Sequence, residues 1–478
     1  MRRASLIALL LTALLVPAAK AEIIVVDWRG GADYETIQGG LYAAGDGDVV
    51  LVADGTYTGP DNTELDFHGG RISLRPVPGS RDDTIIDCEW ACRAFEFDDG
   101  EDSLAVVEGL HIVNGMASTG GAVLISNSSP TFKDCTIHLC IAPYLGGGVA
   151  VLGGDPIFDS CRLSYNIADD GGAVAVVSGS ATIRSCTLLN NSAFDEGGAL
   201  FFTDSSAVVR ACTFTRNSAI DGGVARVLGT QVDFEDCDFD DNEATRGGAL
   251  SLRRPSMVSV SGCSFVGNSS SGYGAALHMY GCSPSISDCA FTKNAPTGGG
   301  TVWGEYSSPV LSWCTFWDNK GTYEPDIGHD VELYHTDIGN ALIENCTFCG
   351  WRMNSRDDGA LLRFGDCEPL VERSIIAFYN HGPGITCAGT GEPTIRQCVV
   401  FGNVGGDEIC GDDPYNNMSV DPLFCGFWEG ELTLCANSPC LPGHNPWGVL
   451  IGAHDLGCGD CDTPVEHTSW GMIKAMFR

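Results

Sequence analysis

From about residue 116 onward, short apolar stretches separated by turn residues return every 25 or 26 residues. A cysteine marks each return, from Cys135, Cys161 and Cys186 through to Cys289 and Cys314. Three residues before it stands an apolar residue, such as Phe132, Ile183 or Phe234, and two after it another, such as Ile137, Leu188 or Phe239. Five after it, from Asn166 through Asn191 and Asn217 to Asn319, stands asparagine. About fifteen before it lies a glycine, usually doubled, as in Gly171-Gly172-Ala173 and Gly197-Gly198-Ala199. Each period thus holds about three short apolar stretches filled with β-branched and aromatic residues, and none is long enough for a stable helix.

One such period cannot bury its own apolar side, whereas stacked periods can, because like columns then lie above one another. The pattern predicts an all-β fold, a right-handed parallel β-helix (solenoid) of about 25-residue coils, with strands of successive coils ~4.8 Å apart. Inward Val, Leu and Phe columns fill the interior. The glycines permit a corner with positive φ or a close backbone approach. Asparagine tolerates the left-handed region and can bond the amides above and below, which suits a tight corner. Stacked cysteines lie within reach of a disulfide, but parallel Cβ vectors oppose the near-perpendicular torsion that bond requires. The cysteine column is therefore expected to be buried free thiols.

Outside this region, Arg2-Arg3, the apolar run Leu6 to Val16 and Ala19-Lys20-Ala21 read as a signal peptide over residues 1–21, and a secreted or cell-surface protein is expected. Residues 22–115 are read as an N-terminal cap with the first coils, and 116–425 as the regular coils. The spacing stretches after Cys314, which places an extended loop near 322–340, and Ser374 takes the cysteine place before Cys398. Cysteines crowd over 426–461, read as a Cys-rich C-terminal cap closed by disulfides, and Cys88 with Cys92 is read as a staple of an early loop. Residues 462–478 end in aromatic and basic groups and form either a sorting or anchoring tail or a frayed end.

Composition narrows the function. Sixty-two glycines in 478 residues fit a corner-rich solenoid. A net charge of −36 opposes nucleic-acid partners and anionic membrane surfaces. No later stretch has the length of a transmembrane span. A monomer is expected.

Two sets of residues carry the resemblance to known proteins. Gly198-Ala199-Leu200 with Phe214-Thr215-Arg216-Asn217, and Gly248-Ala249-Leu250 with Phe265-Val266-Gly267-Asn268, resemble the GGA[ILV] and FxxN motifs of polymorphic outer-membrane-protein repeats. The stretch from Thr36-Ile37-Gln38 through Val49-Val50-Leu51-Val52 to Gly55-Thr56-Tyr57 looks like the N-terminal cap of pectin-lyase-like right-handed β-helices. That resemblance implies a short amphipathic helix closing the coil, followed by the first strand. It covers about residues 23–425. The outer-membrane relatives carry a C-terminal translocating barrel, for which the 17 residues after Cys461 leave no room, so another export route is expected. The superfamily holds lyases, hydrolases and adhesins, so function must be argued from a site.

Three groups of residues are candidates for that site. Asp169, Asp170, Asp195, Glu196 and Asp221 precede the glycines and form an acidic ladder. They are either solvated turn acids or a place where Ca2+ offsets like-charge repulsion. Asp326, His329, Asp330, Glu332, His335 and Asp337 cluster in the extended loop, with no standard zinc spacing. An outward column from Leu124 to Trp303 includes Phe201, Arg226 and His278, and Tyr306 follows closely. Aromatic faces beside hydrogen-bonding groups suit sugar rings, so these residues are the candidate contacts for an extracellular polysaccharide or cell-surface components, with packing beneath the long loop as the other reading. The reading is a binding, adhesion or structural protein. Its alternative is a carbohydrate-active enzyme, a polysaccharide lyase or glycoside hydrolase. For the latter, Asp357-Asp358-Gly359 is the nearest acid pair, and no matching lyase motif is present.

Overall fold

The structure, a computed structural model, describes residues 21–80, 83–253, 256–319, 329–334, 341–350, 359–380, 382–411 and 413–461. The chain winds as a right-handed parallel β-solenoid. One coil shows how. Ser180–Arg184 lies in a first sheet (A), Thr187–Leu189 in a second (B), Ser192–Glu196 in a third (C) and Leu200–Thr203 in a fourth (D). Among the described residues, sheet A has 15 strands, B 14, C 7 and D 12. Successive coils pair in parallel and in register, Ile183 on Val209 and Leu188 on Phe214. The expected three stretches per period are thus four strands over residues 141–296. The strand of sheet C escapes a hydropathy reading because it buries little, as the single buried Ala193 of Ser192–Glu196 illustrates.

The columns do their expected work inside. Phe214, Phe239, Phe265, Phe291, Phe316 and Phe348 stack with centroids 4.5 to 5.1 Å apart, matching the strand spacing. Every ladder cysteine is free and buried. The thiols are satisfied without disulfides: Cys186 Sγ donates to Arg184 O at 3.2 Å and accepts from Cys161 N at 3.3 Å. Ser374 does stand in for cysteine, its Oγ accepting from Cys346 N at 3.1 Å. The asparagines form an amide ladder. Asn191 Nδ2 donates to Asn217 Oδ1 at 3.1 Å, and Asn217 Nδ2 to Asn242 Oδ1 at 3.1 Å.

The asparagines do not themselves occupy the left-handed region. The residue just before each does, as at Asn190, Arg216 and Asp241, and a second such residue precedes each cysteine, as at Ser185 and Asp236. The corner residue faces outward, and the following asparagine is free to point inward and tie the coils. The glycine corner is as expected. Gly197 has φ +66°, and a Cβ on Gly198 would lie 2.2 Å from Gly223 O.

The N-terminal end is closed by the expected helix, Ile37–Ala43, capped by Thr36 Oγ1, which accepts from Gly39 N at 3.2 Å. Cys88 and Cys92 form no disulfide; Cys92 Sγ instead donates to Cys88 O at 3.7 Å. At the far end Asn417 Oδ1 accepts from Cys398 N at 2.9 Å, and Cys387–Cys410 fastens the last turns. The cysteine-rich C-terminal region carries the expected disulfides. Residues 424–461 run along the outer side of sheet B. There Phe424, Leu432, Leu434 and Ile451 build a second core with Cys349, Ile375 and Val399. Cys425–Cys458 and Cys435–Cys461 staple this segment internally. Hydrogen bonds such as Asn345 Nδ2 to Leu450 O at 3.0 Å hold it to the coils.

Candidate functional site

The double-glycine corner turns the chain sharply from sheet C into sheet D. The last residues of the C strands therefore stand beside the outer face of sheet D, and two columns meet there.

The column on sheet C runs Asp170, Glu196, Asp221, Arg246 and Tyr273, each in register with the next. Its acids are compensated by arginine. Arg246 forms a bidentate pair with the buried Asp221, at 2.5 and 2.6 Å, and Arg226 Nε lies 3.0 Å from Glu196 Oε1. Burial pushes the Asp221 carboxyl up, but Arg246, Arg226 and Arg253 outweigh it and hold the group below the usual carboxylate range. Asp170 is the exception. Burial, and then the charges of Glu196, Asp195 and Asp169, push it up to about 6. Asp169 and Asp195 are exposed. The five acids proposed for Ca2+ thus do not converge as a ligand set. Among the described residues, the potential ligand groups that come together are Asp66, His68 and Asp99, and the cysteines Cys425, Cys435 and Cys458, which the disulfides already use.

The column on sheet D holds the expected residues in register: Phe201 on Arg226, Arg226 on Ser251, Ser251 on His278, and His278 on Trp303. It points away from the coil interior, yet it is not open to solvent, because the sheet C column covers it. Arg226 is 1% exposed and Trp303 8%. Arg226 Nη1 donates to Ser251 Oγ at 3.0 Å, and Ser251 Oγ lies 3.4 Å from His278 Nδ1. Burial pushes His278 down to about 3, so it is a neutral ring at ordinary pH. It stacks on Trp303 at 5.0 Å and 3°, and Tyr273 stacks on the same indole at 4.8 Å. Tyr273 is 44% exposed and is the aromatic of this cluster that solvent reaches. Tyr306 lies apart from the column, edge-on to Tyr280 at 5.6 Å.

Two further members escaped the sequence reading. Beyond Trp303 the column continues in register to Glu332 and then Arg363. The insertions between these coils break the 25-residue count, which hides the match. Part of the extended loop is in fact the strand His329–Tyr334 of sheet D. His329 Nδ1 lies 3.0 Å from Ala360 O, and burial pushes the ring down to about 4. Asp330 Oδ1 accepts from Asn319 Nδ2 at 2.9 Å, closing the asparagine ladder. Glu332 Oε1 is 3.7 Å from Arg363 Nη1, and burial raises its carboxyl above the usual range. Asp326, His335, Asp337, Asp357 and Asp358 lie outside the described residues.

Residues 94–239 and 222–420 match the family profile of the right-handed β-helix region. The chain belongs to that family. No curated protein sequence matches it. Solved structures similar to this β-helix include a point mutant of the PL6-family alginate lyase AlyGC, at 12% identity and TM-score 0.42, covering 84% of this chain and 54% of that one. The alginate lyase AlyF-OU02 in complex with G6 is similar at 11% identity and TM-score 0.33, over 79% and 88%. Pectate lyase Pel9A is similar at 10% and 0.27, over 92% and 97%. The chain spans about half the length of the first of these lyases. At these values the neighbours offer no residue-by-residue correspondence to this β-helix.

Proposed function

We propose that this protein is an exported β-helix that binds a saccharide where sheets C and D meet, with Tyr273 as the first contact and Trp303 behind it. The supporting observation is the run of stacked rings and hydrogen-bonding groups along one line at strand spacing: Tyr273 and His278 against Trp303, then Glu332 and Arg363. Rings edged by donors and acceptors are what a sugar's apolar face and hydroxyls require. Export is supported by the signal-like first 21 residues and by the three disulfides, which need an oxidising compartment. A monomer, secreted or held at the cell surface in an adhesive or structural role, fits the charge of −36, which opposes self-association.

The test is a glycan array combined with a uronide-release assay at several Ca2+ concentrations. Saturable binding without turnover supports the binding role. Tyr273→Ala is the clean probe and should weaken binding by about 1–3 kcal/mol. Trp303→Ala is not clean, because truncating a ring this buried costs about 3–5 kcal/mol of stability. The enzymatic alternative rests on Glu332, whose carboxyl is raised by burial above the usual range, the direction in which general acid catalysts are tuned. Turnover that disappears in Glu332→Gln would favour it.

A further inference from the structure

Resting on the saccharide-binding reading and deepening it, we infer that the site takes an N-acetylated amino sugar, with the acetamido group seated across Trp303, Glu332 and Arg363. These are three consecutive rungs of sheet D, each paired in register with the next and so ~4.8 Å apart.

Each rung presents a different chemistry. Trp303 offers an apolar ring. Glu332 offers an acceptor: its side chain is only 5% exposed, and although the Tyr334 side chain and the Gly300 N–H lie near the carboxyl, Oε2 makes no well-formed hydrogen bond. A buried carboxylate oxygen without a donor costs stability that a ligand N–H or O–H restores. Arg363 offers a donor, and its side chain is 26% exposed. Gly299 packs closely against this cluster: a Cβ there would lie 2.9 Å from Trp303 Cδ1, 3.0 Å from Tyr273 Cδ1 and 3.5 Å from Glu332 Oε2, so any side chain at 299 would crowd the rings and the carboxylate.

An acetamido group carries the complementary set in one plane, with an N–H for Glu332, a carbonyl for Arg363 and a methyl for the indole. The other sugar substituents fit less well. A free amine satisfies Glu332 but is repelled by Arg363. A uronate carboxylate suits Arg363 but meets the Glu332 charge. A hydroxyl reaches one of the two polar groups and leaves the ring unused. The acetamido group is also neutral, so the net charge of −36 does not oppose its approach.

The test is calorimetric titration of the full chain at pH 7.5 with four probes of equal length: an N-acetylglucosamine oligomer, its deacetylated form, a glucose oligomer and an oligouronate. The acetylated oligomer should bind roughly tenfold tighter than the others, the effect of one added hydrogen bond to a charged group. Glu332→Ala should abolish that preference, whereas Glu332→Gln, which keeps an acceptor oxygen, should retain most of it. Thermal unfolding checks that both variants are folded, and the comparison of probes on the unmodified chain stands without them. Equal affinity for the glucose and acetylated oligomers overturns the acetamido assignment and leaves saccharide binding standing. Preference that survives in folded Glu332→Ala overturns the seat. Absence of binding to all four overturns both readings.

Discussion

Replacing Asn217 by alanine should loosen the solenoid locally, and the hydrogen bonds give the size of the effect. Asn217 Oδ1 accepts from Asn191 N at 3.0 Å and Asn191 Nδ2 at 3.1 Å, while its Nδ2 donates to Leu188 O at 3.0 Å and Asn242 Oδ1 at 3.1 Å. Two of these partners keep another bond. Asn191 Nδ2 still reaches Leu163 O, and Asn242 Oδ1 still accepts from Asn217 N. The Asn191 amide and the Leu188 carbonyl lose what this side chain supplies, at a fully buried position. At about 1–3 kcal/mol for each buried group left unmet, the change costs about 3 kcal/mol. A solenoid spreads such a loss mainly to neighbouring coils, so the readout is local. Hydrogen exchange followed by mass spectrometry should show amides near Asn191 and Asn217 exchanging roughly 100-fold faster. Asn191→Ala combined with Asn217→Ala should cost less than the sum of the two, because they share bonds. Acceleration below roughly threefold would refute the claim that the amide ladder ties the coils.

Three other outcomes are expected. Alkylation under non-reducing, denaturing conditions should label Cys186, Cys212 and Cys237 and spare Cys387, Cys410, Cys425, Cys458, Cys435 and Cys461; mutual links in the first set would contradict the buried-thiol reading. Asp170 holds its proton more tightly folded than unfolded, since burial and Glu196 push it up from 3.8 to about 6, so its charge costs stability above that pH. Asp170→Asn should therefore raise the denaturation midpoint at pH 7.5 and leave it nearly unchanged near pH 4, and a gain of equal size at both would contradict the assignment. Arg246→Met removes the bidentate partner of Asp221 and leaves Arg253 at 4.0 Å. It should cost about 1–3 kcal/mol at pH 7 in urea unfolding, less than a fully buried pair because Arg246 is partly exposed, with a smaller loss at pH 4 as Asp221 protonates.

Whatever depends on contacts between like positions was legible in the chain. Residues one period apart are vertical neighbours, so a column such as Phe214, Phe239 and Phe265 appears in the sequence as a spacing and in space as a stack. The solenoid and its thiol and amide ladders follow from that equivalence of period and position, whereas the capping helix Ile37–Ala43 was expected only from the resemblance of its stretch to β-helix caps. Contacts between unlike columns have no such signature. That Arg226 answers Glu196, or that the sheet C column shuts the sheet D column away from water, depends on the angle at the glycine corner. The rungs at Glu332 and Arg363 were lost to insertions that shift the count without shifting the stack. The lateral course of 424–461 joins residues about 100 apart, and its one trace in the sequence is that the outward positions Ile375 and Val399 of sheet B turn apolar where earlier coils carry Thr187 and Thr213. A repeat writes its own axis into the sequence, whereas side-by-side packing of different columns exists only once the chain has bent.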